Sequence, residues 1–172
     1  MLALMLCAAL LCCAVPVASA VNEDELVQEL PDFSQIYESA TTVVSQSAKQ
    51  GIYDAGDNVY VFETLGDLMY LADIQLSGHP SLVYIGEDPI TIWYDLAFYY
   101  DVTLIFLETE VTIPSGVDVT FYGYESILAA EDINISGTVS CPIFELYGAM
   151  DVDGYLDVRD SFIITENGVI EG

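Results

Sequence analysis

Four aspartates in the last quarter of the chain have a spacing that suits a calcium ion: Asp151, Asp153, Asp157 and Asp160. They match four acidic positions of a twelve-residue calcium loop, and Gly154 falls where that loop turns. The first ligand position holds Ala149, however, and no helical pattern flanks the segment. The alternative is a strand whose carboxylates face water. We therefore predict no required cofactor, with calcium as the one candidate ion.

A second candidate site consists of aromatic residues from two segments: Trp93, Tyr94, Tyr99, Tyr122 and Tyr124. Such rings offer a large apolar face and, in tyrosine and tryptophan, a polar edge. Together they predict a stacking surface for a neutral glycan. The alternative is ordinary packing on strand faces or in the core. Exposed, coplanar rings favour binding, whereas dispersed or buried rings favour packing.

Catalytic chemistry has weaker support in the sequence. Pairs of carboxylates are the machinery of glycosidases, but among 28 acidic residues some pairs approach each other by chance. A β-helical lyase needs basic groups, and only Lys49 and Arg159 are present. His79 has no catalytic partner near it in sequence, and Cys141 is typical of a small buried apolar residue. We expect a non-enzymatic protein, with a polysaccharide-degrading enzyme fragment as the alternative.

The net charge of −26 excludes several classes of partner. Nucleic-acid binding needs lysine and arginine to displace counterions from phosphates. Anionic membranes and acidic polysaccharides are disfavoured for the same electrostatic reason. Cations, basic host or cell-surface proteins and neutral glycans remain compatible, and an acidic surface that only contacts solvent is the alternative. With 53% hydrophobic residues, the chain has enough apolar material for a core.

Residues 1–20 are predicted to be a secretory signal peptide. An apolar run is broken by Pro16 and followed by a small-residue cleavage site ending at Ala20. No basic residue precedes the run, and an uncleaved anchor is the alternative, although the run is short for a membrane span. After cleavage we expect a secreted or cell-surface protein without a membrane segment. Its single remaining cysteine, Cys141, allows no intrachain disulfide.

Residues 21–57 are predicted to be an acidic, Ser/Thr-rich helical arm or linker. Asp32 and Gln35 are placed to begin a helix with Phe33 and Ala40 on one face. The β-branched residues that follow weaken such a helix. We expect this arm to dock weakly and to be the least ordered segment.

Residues 58–172 are predicted to form the folded body. Thr64 and Asp67 have the spacing of a capping box, and the residues after them follow helical periodicity. Apolar–x–Gly–x–apolar blocks then recur around three glycines, with a partial fourth at Gly168: Gly137, Gly148 and Gly154.

Alternating residues between these glycines are typical of strands. The pattern predicts a right-handed parallel β-solenoid with an N-terminal capping helix. Its turns, of about 20 residues, begin near Ile113, Ile133 or Ile135, and Leu156 or Val158. A β-sandwich of short antiparallel strands is the alternative.

The stretch from Val59 to Gly172 resembles the N-terminal regions of large bacterial secreted or surface proteins. The similarity lies in the capped helix, the Val83–Gly86 segment, the Thr112–Phe121 segment and the Ile135–Val139 block. Those regions look like capped β-solenoids of the adhesin or pectate-lyase-like kind. The resemblance implies an extracellular structural or adhesive module, followed in such proteins by further domains. It carries no catalytic residues. We expect the solenoid to be truncated at its C-terminal end and to continue downstream.

Overall fold

The computed structural model describes residues 32–45, 51–74, 76–86 and 88–171. The predicted signal peptide at 1–20 lies outside these residues, as do 21–31 and 46–50 of the predicted arm. None of the described helices is long and apolar enough to cross a membrane. The described elements are α1 (Phe33–Ser45), β1 (Tyr53–Gly56), β2 (Val59–Phe62), α2 (Leu65–Asp73), β3 (Ser81–Tyr84), β4 (Ile90–Thr91), β5 (Leu96–Phe98), β6 (Thr103–Ile113), β7 (Asp118–Phe121), β8 (Ile127–Ile135), β9 (Thr138–Leu146), β10 (Ala149–Val152), β11 (Tyr155–Ile164) and β12 (Val169–Glu171).

The strands stack in parallel from one turn of the chain to the next. Among the described strand pairs, only β1 and β2 run antiparallel. This arrangement confirms the predicted β-solenoid. It also excludes the β-sandwich, in which hairpins would make neighbouring strands antiparallel.

Each complete turn contributes segments to three faces. Face A contains β2, β3, the first halves of β6 and β8, and the second halves of β9 and β11. Face B contains β4, the second halves of β6 and β8, β10 and β12. Face C contains β5, β7 and the first halves of β9 and β11. Register shifts within β6 and β11 mark where those strands pass from one face to the next.

Like residues stack in columns inside the solenoid. On face A the column Leu82, Leu104, Leu128 and Phe144 is in register and almost completely buried. Burying one such side chain stabilises the fold by about 1.5–3 kcal/mol. The columns of the three faces merge into a single hydrophobic cluster. The parallel register therefore fixes which side chains lie above one another, inside and outside.

The predicted positions of the turns are correct only in part. Ile113 and Ile135 do pair on face B, 22 residues apart, but the next partner is Val152, after 17 residues. Leu156 instead lies on face C beside Val139. The turns shorten toward the C-terminus, so a constant repeat of about 20 residues assigns the third position to the wrong face.

The recurring glycines lie where consecutive turns touch. A Cβ atom added to Gly137 would lie 2.3 Å from the carbonyl oxygen of Val117. One added to Gly154 would lie 2.1 Å from the carbonyl oxygen of Gly137. Real Cβ atoms do not approach backbone oxygens this closely, so only glycine fits. The apolar–x–Gly–x–apolar pattern thus arises from close contact between successive turns.

The α2 helix begins at the predicted capping box. The Thr64 hydroxyl accepts a hydrogen bond from the Asp67 N–H at 3.2 Å, and an Asp67 carboxylate oxygen accepts one from the Thr64 N–H at 3.1 Å. Leu68 and Leu71 are completely buried in the main hydrophobic cluster. The helix lies between β2 and β3 in sequence, where later turns carry the segments of faces B and C.

The predicted arm contains a helix and a strand. Asp32 begins α1 by accepting hydrogen bonds from the backbone N–H groups of Ser34 and Gln35, at 3.1 and 3.3 Å. Phe33 and Ala40 are completely buried, and α1 packs against β1, β2 and β6. The strand β1 pairs with β2 and so belongs to the sheet.

Candidate ligand-binding site

Two exposed tyrosines form a coplanar pair on adjacent turns of face C. Tyr99 and Tyr122 directly follow β5 and β7, and the Tyr122 N–H donates to the Phe98 carbonyl oxygen at 2.8 Å. Their ring centroids are 4.8 Å apart and their planes differ by 1°. The exposed fractions are 71% for Tyr99 and 53% for Tyr122. The solenoid register therefore holds two rings in parallel at the surface.

A second ring pair lies beneath the first and fixes its position. Phe98 and Phe121 are in register and buried, with centroids 4.9 Å apart and planes 19° apart. Because side chains alternate between the two sides of a strand, the next residue on each turn points outward. The buried phenylalanines thus orient the two tyrosines.

The other predicted stacking residues are not part of this pair. Trp93, Tyr94 and Tyr124 are 64%, 59% and 88% exposed. Within the described residues, no ring contact joins any of them to another aromatic side chain. Of the five predicted residues, the structure brings together Tyr99 and Tyr122.

A groove of about 320 Å³ runs beside Tyr99, between α2 and β5. Met69, Ala72 and Leu96 give it an apolar wall, and Asp73 and Asp95 place carboxylates along it. One carboxylate oxygen of Asp95 accepts a hydrogen bond from the Asp118 N–H at 2.9 Å, which orients that side chain. The groove therefore combines an apolar surface with hydrogen-bond acceptors.

The two sides of the groove are joined by Tyr100. Its hydroxyl donates to the Leu71 carbonyl oxygen in α2 at 2.6 Å. Burial raises the pKa of Tyr100 to about 12, so the hydroxyl keeps its proton at neutral pH and remains a donor. This bond ties β5 to α2 and makes the groove a preformed feature.

Arg159 lies next to the tyrosine pair, and its role there is structural. Pro142 occupies the turn after Tyr122, and proline has no N–H to donate to the Phe121 carbonyl oxygen. The Arg159 guanidinium reaches that oxygen from the following turn and donates to it. The arginine thus replaces the backbone donor that Pro142 removes. Sequence reasoning considered Arg159 only as a possible enzymatic base.

The four calcium candidates lie on different elements. Asp151 is on β10, Asp153 is in the turn after it, and Asp157 and Asp160 are on β11. Asp157 accepts a hydrogen bond from the Ser140 hydroxyl at 3.2 Å. Across the described residues, no group of three or more histidine, cysteine, aspartate or glutamate side chains is arranged to hold a metal ion.

A larger acidic groove, of about 450 Å³, includes Glu110, Glu131 and Asp132. Each of these carboxylates already accepts a hydrogen bond. Their donors are the Asn134 side chain at 2.6 Å, the Glu108 N–H at 2.6 Å and the Ala149 N–H at 2.8 Å, respectively. The acids therefore satisfy donors where the chain turns between faces, which is a structural role.

His79 has a hydroxyl and a carboxylate near it, as in a catalytic triad. Its Nε2 atom is 3.1 Å from the Thr103 hydroxyl, and its Nδ1 atom is 4.0 Å from a Glu125 oxygen. Thr103 is only 3% exposed, so a substrate carbonyl has no access to its hydroxyl. The Nδ1–carboxylate distance is also beyond hydrogen-bond reach. The arrangement therefore lacks the geometry of a nucleophilic site.

Cys141 is completely buried, as its sequence context predicted. Burial raises the pKa of its thiol to about 12; Arg159 opposes this effect and Asp157 adds to it. A thiol in this state is not a nucleophile at neutral pH.

Comparisons with protein-family models, with curated proteins and with solved structures find no match. The tyrosine pair and the groove beside it are the features whose chemistry points to a ligand. Tyrosine faces stack on apolar ring faces, and the Asp73 and Asp95 carboxylates accept hydrogen bonds from hydroxyl groups.

Proposed function

We propose that this protein is a non-enzymatic extracellular β-solenoid that binds neutral glycans through Tyr99 and Tyr122. The observation that carries the proposal is the exposed, coplanar arrangement of the two rings at 4.8 Å. A pyranose ring has an apolar face of C–H groups that fits against a tyrosine face, with hydroxyl groups around its edge. The groove beside Tyr99 places carboxylates where such hydroxyl groups can donate.

The charge of the protein supports a neutral ligand. The net charge is −26, and the carboxylates at the groove repel acidic sugars. The large cost of leaving tyrosine faces in water is partly recovered when a sugar covers them. Aromatic stacking contributes about 0.5–1.5 kcal/mol beyond the area buried, so we expect weak binding per sugar and tighter binding for longer chains.

We infer that the solenoid is the scaffold of an adhesive module at a bacterial cell surface. The similarity to capped adhesin-like and pectate-lyase-like β-solenoids, together with the predicted signal peptide at 1–20, supports this setting. Leu68 and Leu71 of α2 are buried in the main cluster, and we infer that α2 caps the first turn. The ligand would then be a glycan of the host or of a neighbouring cell.

Isothermal titration with three neutral hexasaccharides (cellohexaose, maltohexaose and mannohexaose) tests the proposal. We expect at least one to bind, and we expect Tyr99→Ala to weaken that Kd about tenfold, corresponding to about 1.4 kcal/mol. Tyr155→Ala is the matched control, because Tyr155 is 62% exposed on β11 and makes no ring contact among the described residues. Its Kd should equal that of the unaltered protein.

Two results would overturn the proposal. One is the absence of heat with all three neutral sugars at millimolar concentration. The other is equal weakening by Tyr99→Ala and Tyr155→Ala, which would place binding elsewhere on the surface. Hexagalacturonate, an acidic sugar chain, should give no heat, since the groove carries carboxylates.

A further inference from the structure

One carboxylate is buried on the outer side of face A, in an otherwise apolar column. The residues of this column pair in register across successive turns: Val61, Val83, Ile105, Ala129 and Glu145. The first four are completely buried, and Glu145 is 7% exposed. One oxygen of Glu145, Oε2, has no hydrogen-bond partner. An ionised carboxylate in this position loses its hydration without replacement.

The helix α1 brings additional acidic and phenolic groups to the same region. Asp32, the capping residue of α1, acts electrostatically on Glu145, so the helix begins close to that side chain. A cavity of about 310 Å³ under the helix is lined by Tyr37 and Glu38 from α1 and by Glu108 and Glu131 from the solenoid. Tyr147 also lines this cavity and interacts with Glu145.

No positive charge is present among the groups that line this region. At neutral pH the carboxylates of Asp32 and Glu38 on the helix side face those of Glu108 and Glu131 on the solenoid side. Tyr37 and Tyr147 are uncharged there, because burial raises the pKa of both hydroxyls and neighbouring acids raise it further. Apolar contacts of Phe33 and Ala40 hold α1 in place against this repulsion.

We propose that α1 is a pH-dependent clasp on face A, which docks firmly when Glu145 is protonated and loosens when Glu145 is ionised. Protonation removes the one buried charge beneath the helix and turns the carboxyl into a neutral group. Ionisation forces the carboxylate to find water, and displacement of the N-terminal turn of α1 provides it. The device would release the outer surface of face A at neutral pH and cover it in acid.

The direction of the effect follows from the burial of Glu145. Burial raises the pKa of the Glu145 carboxyl above its ordinary value of 4.5; the Tyr147 hydroxyl opposes this effect and the Asp32 charge adds to it. A group whose pKa is raised by docking stabilises the docked state fully below the undocked pKa. This contribution is lost as the pH rises through the docked pKa. The helix therefore docks most firmly at about pH 4.5 and below, and less firmly at pH 7.

Hydrogen–deuterium exchange of the α1 amides tests the clasp. Protection factors, which divide out the intrinsic pH dependence of exchange, are compared at pH 4.5 and pH 7 on the full chain. For the unaltered protein we expect protection of α1 to rise about tenfold on acidification, equivalent to one pKa unit. For Glu145→Gln we expect high protection at both pH values, since the amide mimics the protonated acid.

Two controls make the result decisive. Glu171→Gln removes one exposed carboxylate on β12 and should keep the full pH dependence, which separates Glu145 from the general effect of net charge. Glu145→Leu, an apolar side chain in an apolar column, should behave like Glu145→Gln and serves if the glutamine variant folds poorly. Equal α1 protection at both pH values in the unaltered protein would overturn the proposal. So would an unchanged pH dependence in both Glu145 variants.

Discussion

The contact between Arg159 and the Phe121 carbonyl oxygen gives a sharp prediction about how the turns are held together. Replacing Arg159 by alanine removes the donor that compensates for Pro142. The Phe121 carbonyl oxygen then has neither a backbone N–H nor a side chain to accept from. Because Phe121 lies in the buried column of face C, water does not readily replace the lost donor.

The magnitude follows from the chemistry of the lost bond. A hydrogen bond to a charged group contributes about 1.5–3 kcal/mol when buried. The arginine side chain is itself exposed, so part of this value is lost to solvent screening. We expect Arg159→Ala to lower the free energy of unfolding by about 1–2 kcal/mol. For a chain of this size the melting temperature should fall by about 2–8 °C.

A double-mutant cycle separates this explanation from a general loss of packing. Pro142→Ala supplies an N–H at the position from which a strand would normally donate to Phe121. In the Arg159→Ala background, it should recover part of the lost stability. In the background that retains Arg159, it should give no gain, because the carbonyl oxygen is already satisfied and a flexible residue replaces proline. The assay is equilibrium urea unfolding followed by far-UV circular dichroism.

The reasoning is refuted if Arg159→Ala costs less than about 0.5 kcal/mol, the usual size of a neutral surface substitution. It is also refuted if Pro142→Ala has the same effect in both backgrounds, since the two sites would then be independent.

Two further predictions concern the packing of the solenoid interior. Gly154→Ala should destabilise the protein by about 1–3 kcal/mol in urea unfolding, because its Cβ would meet the Gly137 carbonyl oxygen at 2.1 Å. Gly66→Ala, in α2 with no atom nearer than 3.7 Å, is the control and should be neutral or stabilising; equal losses would contradict the packing argument. Cys141 should resist iodoacetamide at pH 8 in the folded protein and react after unfolding, as followed by peptide mapping. Rapid labelling in the native state would contradict its burial and its raised pKa.

The architecture was predictable because its signals are local. The capping box at Thr64 and Asp67 depends on residues three positions apart, and alternation identifies a strand within five residues. The close approach of Gly137 and Gly154 also leaves a local trace, since glycine must recur wherever turns touch. These signals indicate a solenoid without any knowledge of its register.

The site was less predictable because it depends on register. The sequence offered five aromatic residues, but only the pairing of Phe98 with Phe121 places Tyr99 above Tyr122. Turn lengths vary along the chain, so residue spacing alone does not identify that pair. Likewise, Asp151 and Asp157 fit the spacing of a continuous loop, whereas the chain places them on different strands.

Tertiary packing also explains what the sequence missed in the arm. The β-branched residues of α1 weaken its intrinsic helicity, but burial of Phe33 and Ala40 against the solenoid supplies the missing stabilisation. The role of Arg159 was similarly hidden. It depends on Phe121, two turns earlier in the stack, and on Pro142 in the turn between them.

Ring-resolved NMR of the tyrosines tests the binding surface most directly. The protein is labelled with 13C in its tyrosine rings, assigned through Tyr99→Phe and Tyr122→Phe variants, and titrated with the neutral hexasaccharides. We predict that the ring signals of Tyr99 and Tyr122 shift together along one binding curve, while those of Tyr155 stay fixed. Shifts confined to other tyrosines, or no shift with any neutral sugar, would contradict the proposal that this coplanar pair binds glycans.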